Sequence, residues 1–214
     1  MLFWSRIGLA YRTDEVKVTP QSWKDLWNDA YAGRRGTYTI GNSLGINFLF
    51  MASRLWGKDF FDIDAGVEAV KRLQPKLVDF TGTMEQHLTQ KEVVIAVLHD
   101  GAAWDLQKRG VPVSWVAPVE GVPILDQVCH VTRGSKNREL AWKFVDAFLS
   151  PEVQLAWAQE LFFSPTNRTV KLPADVASKI ISGPADVEKL LIFDWAQIAR
   201  QRPAWTEKWN RALR

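Results

Sequence analysis

Residues 91–118, KEVVIAVLHDGAAWDLQKRGVPVSWVAP, decide the fold. VVIAVL (93–98) is a continuous apolar run bounded by polar residues, as a strand buried on both faces should be. His99-Asp100-Gly101 forms a tight turn into a helix over 102–109, and PVSWVAP (112–118) is the next strand. Strand, helix and strand at this spacing predict an α/β unit with a largely parallel sheet.

Toward the amino end the alternation repeats. LVDF (77–80) reads as a strand, Thr81-Gly82-Thr83 as a polar turn and MEQHLTQ as a short helix. Val67, Val70 and Leu73 recur at helical spacing in a segment that Asp62 or Asp64 can cap and Pro75 ends. TYTI (37–40) alternates like a strand, and Asn42-Ser43 opens an apolar helix over roughly 44–56. Ser22 is a good N-cap for the short helix WKDLW, and SRIGLAY (5–11) is a strand.

Beyond 118 the pattern changes. Extended segments at 112–117 and 126–132 are separated by VEGVPIL, which holds Gly121 and Pro123 and no helix. This is where a chain leaves one sheet for another, so residues 13–117 are expected to form one sheet and 127–132 to pair in a different sheet or at its edge. Helices follow at 137–149 and 151–161, the second capped by Ser150 with Pro151 at its first position. SPTNRT (164–169) reads as a turn and the remainder as helical, with Trp205, Trp209 and Leu213 along one face.

The chain has 214 residues, 47% of them hydrophobic and 24% charged, enough for one large domain or two small ones. Its net charge of +3 comes from Lys and Arg spread along the chain, which argues against nucleic acid as a partner. Cys129 is the only cysteine, so no intrachain disulfide can form. No apolar run reaches the ~18 residues of a membrane span. In MLFWSRIGLAYRTDEV the apolar stretch is broken by Arg6 and no small-residue cleavage site follows, so no export signal is read in this chain.

Several segments, in order, carry a resemblance. They are IGLAYRTDEV, SWKDLW, GNSLGINFLFMASRL, KEVVIAVLHDGAAWDLQKRG, VAPVEGVPILDQV, GSKNRELAWKFVDAFLSPEVQLAWAQEL, SPTNRTVKLP and DWAQIARQRPAWTEKWN. Together they resemble the spermidine/putrescine-type family of extracellular solute-binding receptors of bacterial ABC importers. The resemblance implies a type II periplasmic-binding-protein-like fold: two α/β lobes joined by hinge strands, closing on solute in the cleft. On that basis 1–12 is a hinge strand from lobe 1, 13–117 a complete lobe 2, 118–167 the returning part of lobe 1, and 168–214 helices packing on lobe 2. It also implies permease subunits as partners, a periplasmic location, no cofactor, and a first-lobe portion ahead of Met1. The incomplete lobe is expected to expose apolar surface at 126–149 and to favour self-association.

In open α/β sheets, ligands sit beyond the carboxyl ends of strands. The candidates there are Asn42, Ser43, Thr81, Thr83, His99 and Asp100; plain helix capping explains Asn42 and Ser43 as well, and a turn histidine bonded to backbone explains His99. Asp126, a carboxylate between apolar residues beside the crossing, is costly to bury without a partner. The resemblance implies that it pairs with a ligand ammonium; a structural salt bridge is the alternative. Polyamine receptors of the family surround the amine with acidic and aromatic residues. Here matching positions hold Ser43, Ile46, His99 and Ile124, and Phe163 stands where a Tyr is common. These departures imply a small monoamine, a zwitterion or an opine-type compound rather than a long polycation. Catalysis by Cys129-His130 is disfavoured, because neighbours on a strand point to opposite faces, and His99, Asp100 and His130 lack the ligand spacing of a metal site. A remnant of such a receptor that closes on nothing is the remaining reading.

Overall fold

The computed structural model describes residues 1–213. Its organising element is β1 (Phe3–Arg12), a ten-residue strand shared between two sets of partners. The chain continues through two 3-10 turns to β2 (Arg35–Tyr38), α1 (Ser43–Trp56), α2 (Ile63–Leu73), β3 (Lys76–Val78), α3 (Thr81–Thr89), β4 (Ile95–His99), α4 (Asp100–Lys108), β5 (Val113–Val116) and β6 (Val122–Gln127). The second half of β1 pairs antiparallel with β4, from Ile7↔His99 to Tyr11↔Ile95, and with β5, from Leu9↔Val116 to Arg12↔Val113. β2 lies parallel to both β3 and β4. The order is therefore β3-β2-β4-β1-β5, with β1 alone running against the rest.

The first half of β1 enters other company. Phe3–Arg6 pair with β6, from Phe3↔Gln127 to Arg6↔Ile124, and with the two-residue β7 (Ser164–Pro165). β5 and β6 thus run along β1 in succession and do not form a hairpin with each other. The strand expected at 126–132 is displaced to Val122–Gln127 for a simple reason. β1 begins at Phe3, opposite Gln127, so residues beyond 127 find no strand to pair with. Pro123 is tolerated because it lies at the edge, where β6 meets only the two-residue β8 (Leu190–Leu191).

α1 fills the space between the sheet and α2. Every residue from Leu44 to Ser53 is buried, which explains a helix with almost no polar face. Gly45 is required by this packing: a Cβ there would collide with the Thr39 carbonyl oxygen, and backbone cannot yield. After β6 come α5 (Arg138–Leu149) and α6 (Pro151–Leu161), whose N-cap Ser150 accepts from Val153 N–H. The segment expected to be wholly helical contains the short α7 (Ala174–Ala177), α8 (Pro184–Val187) and β8 before α9 (Trp195–Leu213). Trp205 and Trp209 of α9 are buried, and Lys208 bonds Asp64 of α2 at 2.6 Å. No helix among the described residues is long and apolar enough to cross a membrane.

Candidate functional site

The loops at the carboxyl ends of β2 and β3 are tied together by side chains. Asn42 caps α1, its Oδ1 accepting from Leu44 N–H at 2.8 Å, while its Nδ2 donates to the Asp79 carbonyl at 2.8 Å. The Thr39 hydroxyl donates to Asp79 Oδ1 at 2.6 Å. Asn42, Ser43 and Thr81, which opens α3 two residues after Asp79, are therefore brought to one rim, with Ser43 exposed at the first position of α1. Thr81-Gly82-Thr83, expected as a turn before a helix, is the first turn of α3 itself, because Thr83 and Met84 N–H already bond back to the Phe80 carbonyl. Asp79 and the exposed Phe80 are rim residues missed in the sequence; their only signal was a strand ending in an acid and an aromatic.

His99 ends β4 and caps α4. Its Nδ1 accepts from Ala102 N–H at 3.2 Å, so the ring proton sits on Nε2. The imidazole stacks on Phe163, centroids 6.1 Å apart and planes at 16°. Phe163 in turn meets Phe3 at 6.0 Å and Trp157 at 5.9 Å. Burial lowers the His99 pKa from its ordinary value to about 4, leaving the ring neutral. Asp100, counted with the strand-end candidates, is fully buried and already engaged. Arg6 donates to it from Nε at 2.8 Å and from its backbone N–H at 3.1 Å, and Gly101 N–H donates at 2.9 Å.

Asp126 is half-buried on β6, directly across from Trp4 of β1. Among the described residues it has no ion-pair partner, so the salt-bridge alternative finds no support. Residues opposed across an antiparallel pair share a face, so Asp126 lies with Trp4 and Ser164. His99 opposes Ile7, and Phe163 packs on Phe3, on the other face of β1. The structure joins His99 to Phe163 and sets Asp126 across the strand from them. Cys129 and His130 are exposed in the irregular stretch beyond β6, not on a strand as expected. No group of three or more His, Cys, Asp or Glu among the described residues could hold a metal ion.

Comparison with known proteins bears on this arrangement. The chain is 26% identical over 197 residues to the γ-aminobutyric acid-binding protein of Pseudomonas aeruginosa, covering 86% of this chain and 55% of that protein. It is 25% identical over 201 residues to the spermidine/putrescine-binding periplasmic protein of Escherichia coli, covering 90% and 56%. It therefore spans little more than half the length of these relatives. Among solved structures, an ABC transporter protein from Clostridium perfringens superposes with a TM-score of 0.80 at 25% identity, over 100% of this chain and 68% of the other. A periplasmic thiamin-binding protein, 23% identical, shares the fold at 0.79 over 100% and 65%. The fold is that of type II periplasmic binding proteins, and these are solute-binding proteins rather than enzymes. The profile of the bacterial extracellular solute-binding protein family matches residues 3–182, and the chain belongs to that family.

Proposed function

We propose that the chain forms the larger part of a solute-binding receptor of an ABC importer, taking a small amine-containing solute in an interlobe cleft and presenting it to permease subunits in the periplasm. The observation that carries this reading is Asp126, a half-buried carboxylate at the junction of the two strand sets with no cationic partner among the described residues. A buried charge is costly unless paired, and an ammonium from the solute would pair it. The names of the relatives, which bind γ-aminobutyrate, spermidine and putrescine, support an amine. The lobe limits belong to the same reading: 13–117 as lobe 2, 118–167 as the returning part of lobe 1, and 168–214 packing on lobe 2. Asn42, Ser43, Thr81, His99 and Phe163 complete the proposed ligand set, with His99 and Phe163 on the other face of β1 from Asp126.

Calorimetry on this chain, and on a receptor of the relatives' full length that contains it, tests the proposal. A charge-assisted hydrogen bond is worth roughly 1.5–3 kcal/mol, so Asp126→Asn should weaken amine binding by about ten- to a hundredfold. Unchanged affinity in Asp126→Asn would remove the amine reading. The bare apolar face of α5 favours a second reading, a remnant that binds nothing; absence of heat with every amine tried would establish it.

A further inference from the structure

α5 carries charge as well as apolar surface, and the two are arranged in a pattern that complements itself. Leu140, Phe144 and Ala147 lie within about 60° of one another around the helix, and all three are exposed. This stripe is propped from beneath. Phe144 packs on Phe148 with centroids 4.7 Å apart, and Phe148 packs on Trp157 at 5.6 Å and on Phe3 at 6.5 Å. Cys129, His130 and Ser135 line one border of the stripe with Ala141 and Val145. Glu139 and Lys143, four apart and both exposed, form the other border. Pairs of that spacing close on their own helices at Asp105–Arg109, 2.9 Å, and Glu207–Arg211, 2.7 Å. Glu139 and Lys143 have no ion-pair partner among the described residues, so both charges stand unmatched beside an uncovered apolar stripe.

We propose that this stripe is an interface between two copies of the chain, with α5 antiparallel to its counterpart about a two-fold axis near Ala141 and Trp142. Glu-Leu-x-x-Lys-Phe (139–144) fits its own reverse: Leu140 meets the partner's Phe144 and Glu139 meets the partner's Lys143, each contact occurring twice. In an antiparallel pair like borders face each other, so the charged border of one copy lies along that of the other. A parallel pair would set Glu139 and Lys143 against the border of Cys129 and His130 instead. The charge pattern therefore selects both the occupant and its direction. A helix of twelve residues is about 18 Å long, so the contact belongs to the small, weak class of interfaces, below about 1,200 Å². The inference goes beyond the receptor reading and does not depend on which solute the strand ends take.

Sedimentation equilibrium on the whole chain at low salt tests the arrangement. The wild type should approach the mass of a dimer as concentration rises and stop there. Glu139→Lys and Lys143→Glu should each weaken pairing about tenfold, because each sets like charges together at both symmetric contacts. Mixed in equal amounts, the two variants should pair with each other as tightly as wild type, since the mixed pair has opposite charges at both contacts. Trp142→Glu, on the opposite side of α5, should leave the pairing unchanged. All three substitutions replace exposed side chains, so their thermal midpoints should match wild type. A wild-type chain that stays monomeric, or a mass that climbs past the dimer without limit, overturns the proposal. So does a mixture that pairs no better than either variant alone, or a Trp142→Glu chain that falls apart into monomers.

Discussion

Arg6 and Asp100 form an ion pair with the carboxylate fully buried, and Arg6 reaches beyond it. Its Nη2 donates to the Lys179 carbonyl at 2.6 Å, and its guanidinium lies 4.8 Å from the Trp115 ring centroid. One side chain thus ties β1, the start of α4 and the segment before α8. Removing one partner of such a pair leaves an uncompensated buried charge, so Arg6→Met should cost about 3–5 kcal/mol of unfolding free energy. Arg6→Met combined with Asp100→Asn should cost less than Arg6→Met alone; denaturant titration of the single and double variants decides it, and additive losses would contradict the pairing. His99 sets a second expectation. Its pKa is depressed in the fold, so the unfolded chain binds the extra proton first, between its ordinary value near 6.5 and the folded value of about 4. Stability is full above pH 6.5 and falls as pH drops toward 4, by at most about 3 kcal/mol. Thermal midpoints of wild type and His99→Ser should converge as the pH is lowered through that window.

Among the elements, α1 is the least tolerant, because its burial brings Gly45 against backbone. Gly45→Ala should lower unfolding free energy by at least about 2 kcal/mol through overpacking. Gly82→Ala, within α3 where an added Cβ meets nothing within 4 Å, should be neutral or stabilising by up to about 1 kcal/mol. Equal effects at the two positions would mean that the approach of α1 to β2 is looser than described. The same elements show what was legible in the sequence. The apolar run ahead of His99 and the Ser150-Pro151 cap signal local structure, and local signals survive folding. The division of β1 did not show, because whether Phe3–Arg6 and Ile7–Arg12 join different partners depends on strands more than eighty residues away. The end of β6 followed from that pairing and not from its own alternation. Asn42, Ser43 and Thr81 were legible as strand-end polar residues; the bond that gathers them, from Asn42 to the Asp79 carbonyl, was not.

Across the whole molecule, burial is uneven. The β1–β5 side holds the large core, whereas α5 has no buried residue along its twelve positions. Leu140 and Phe144, four apart on one face, are 67% and 55% exposed, while Trp142, 53% exposed, lies on the opposite side of the helix. Leu140, Ala141, Phe144 and Val145 line a groove of about 310 Å³ with Cys129 and His130. Contiguous apolar surface of this kind marks a contact face or an aggregation risk. Solved neighbours extend well past this chain, which fills 65–68% of their length, so their folds hold material with no counterpart here. In solution the chain by itself should cover the face by pairing with copies of itself. Light scattering should then report a mass that rises with concentration, and a hydrophobic dye should bind at low concentration and be displaced as association proceeds. Leu140→Glu with Phe144→Glu should return the chain to a monomer and abolish dye binding. The thermal midpoint should hold, because neither side chain is buried in the monomer. A wild-type chain that stays monomeric and binds no dye would show that the α5 face is covered by the chain's own residues in solution.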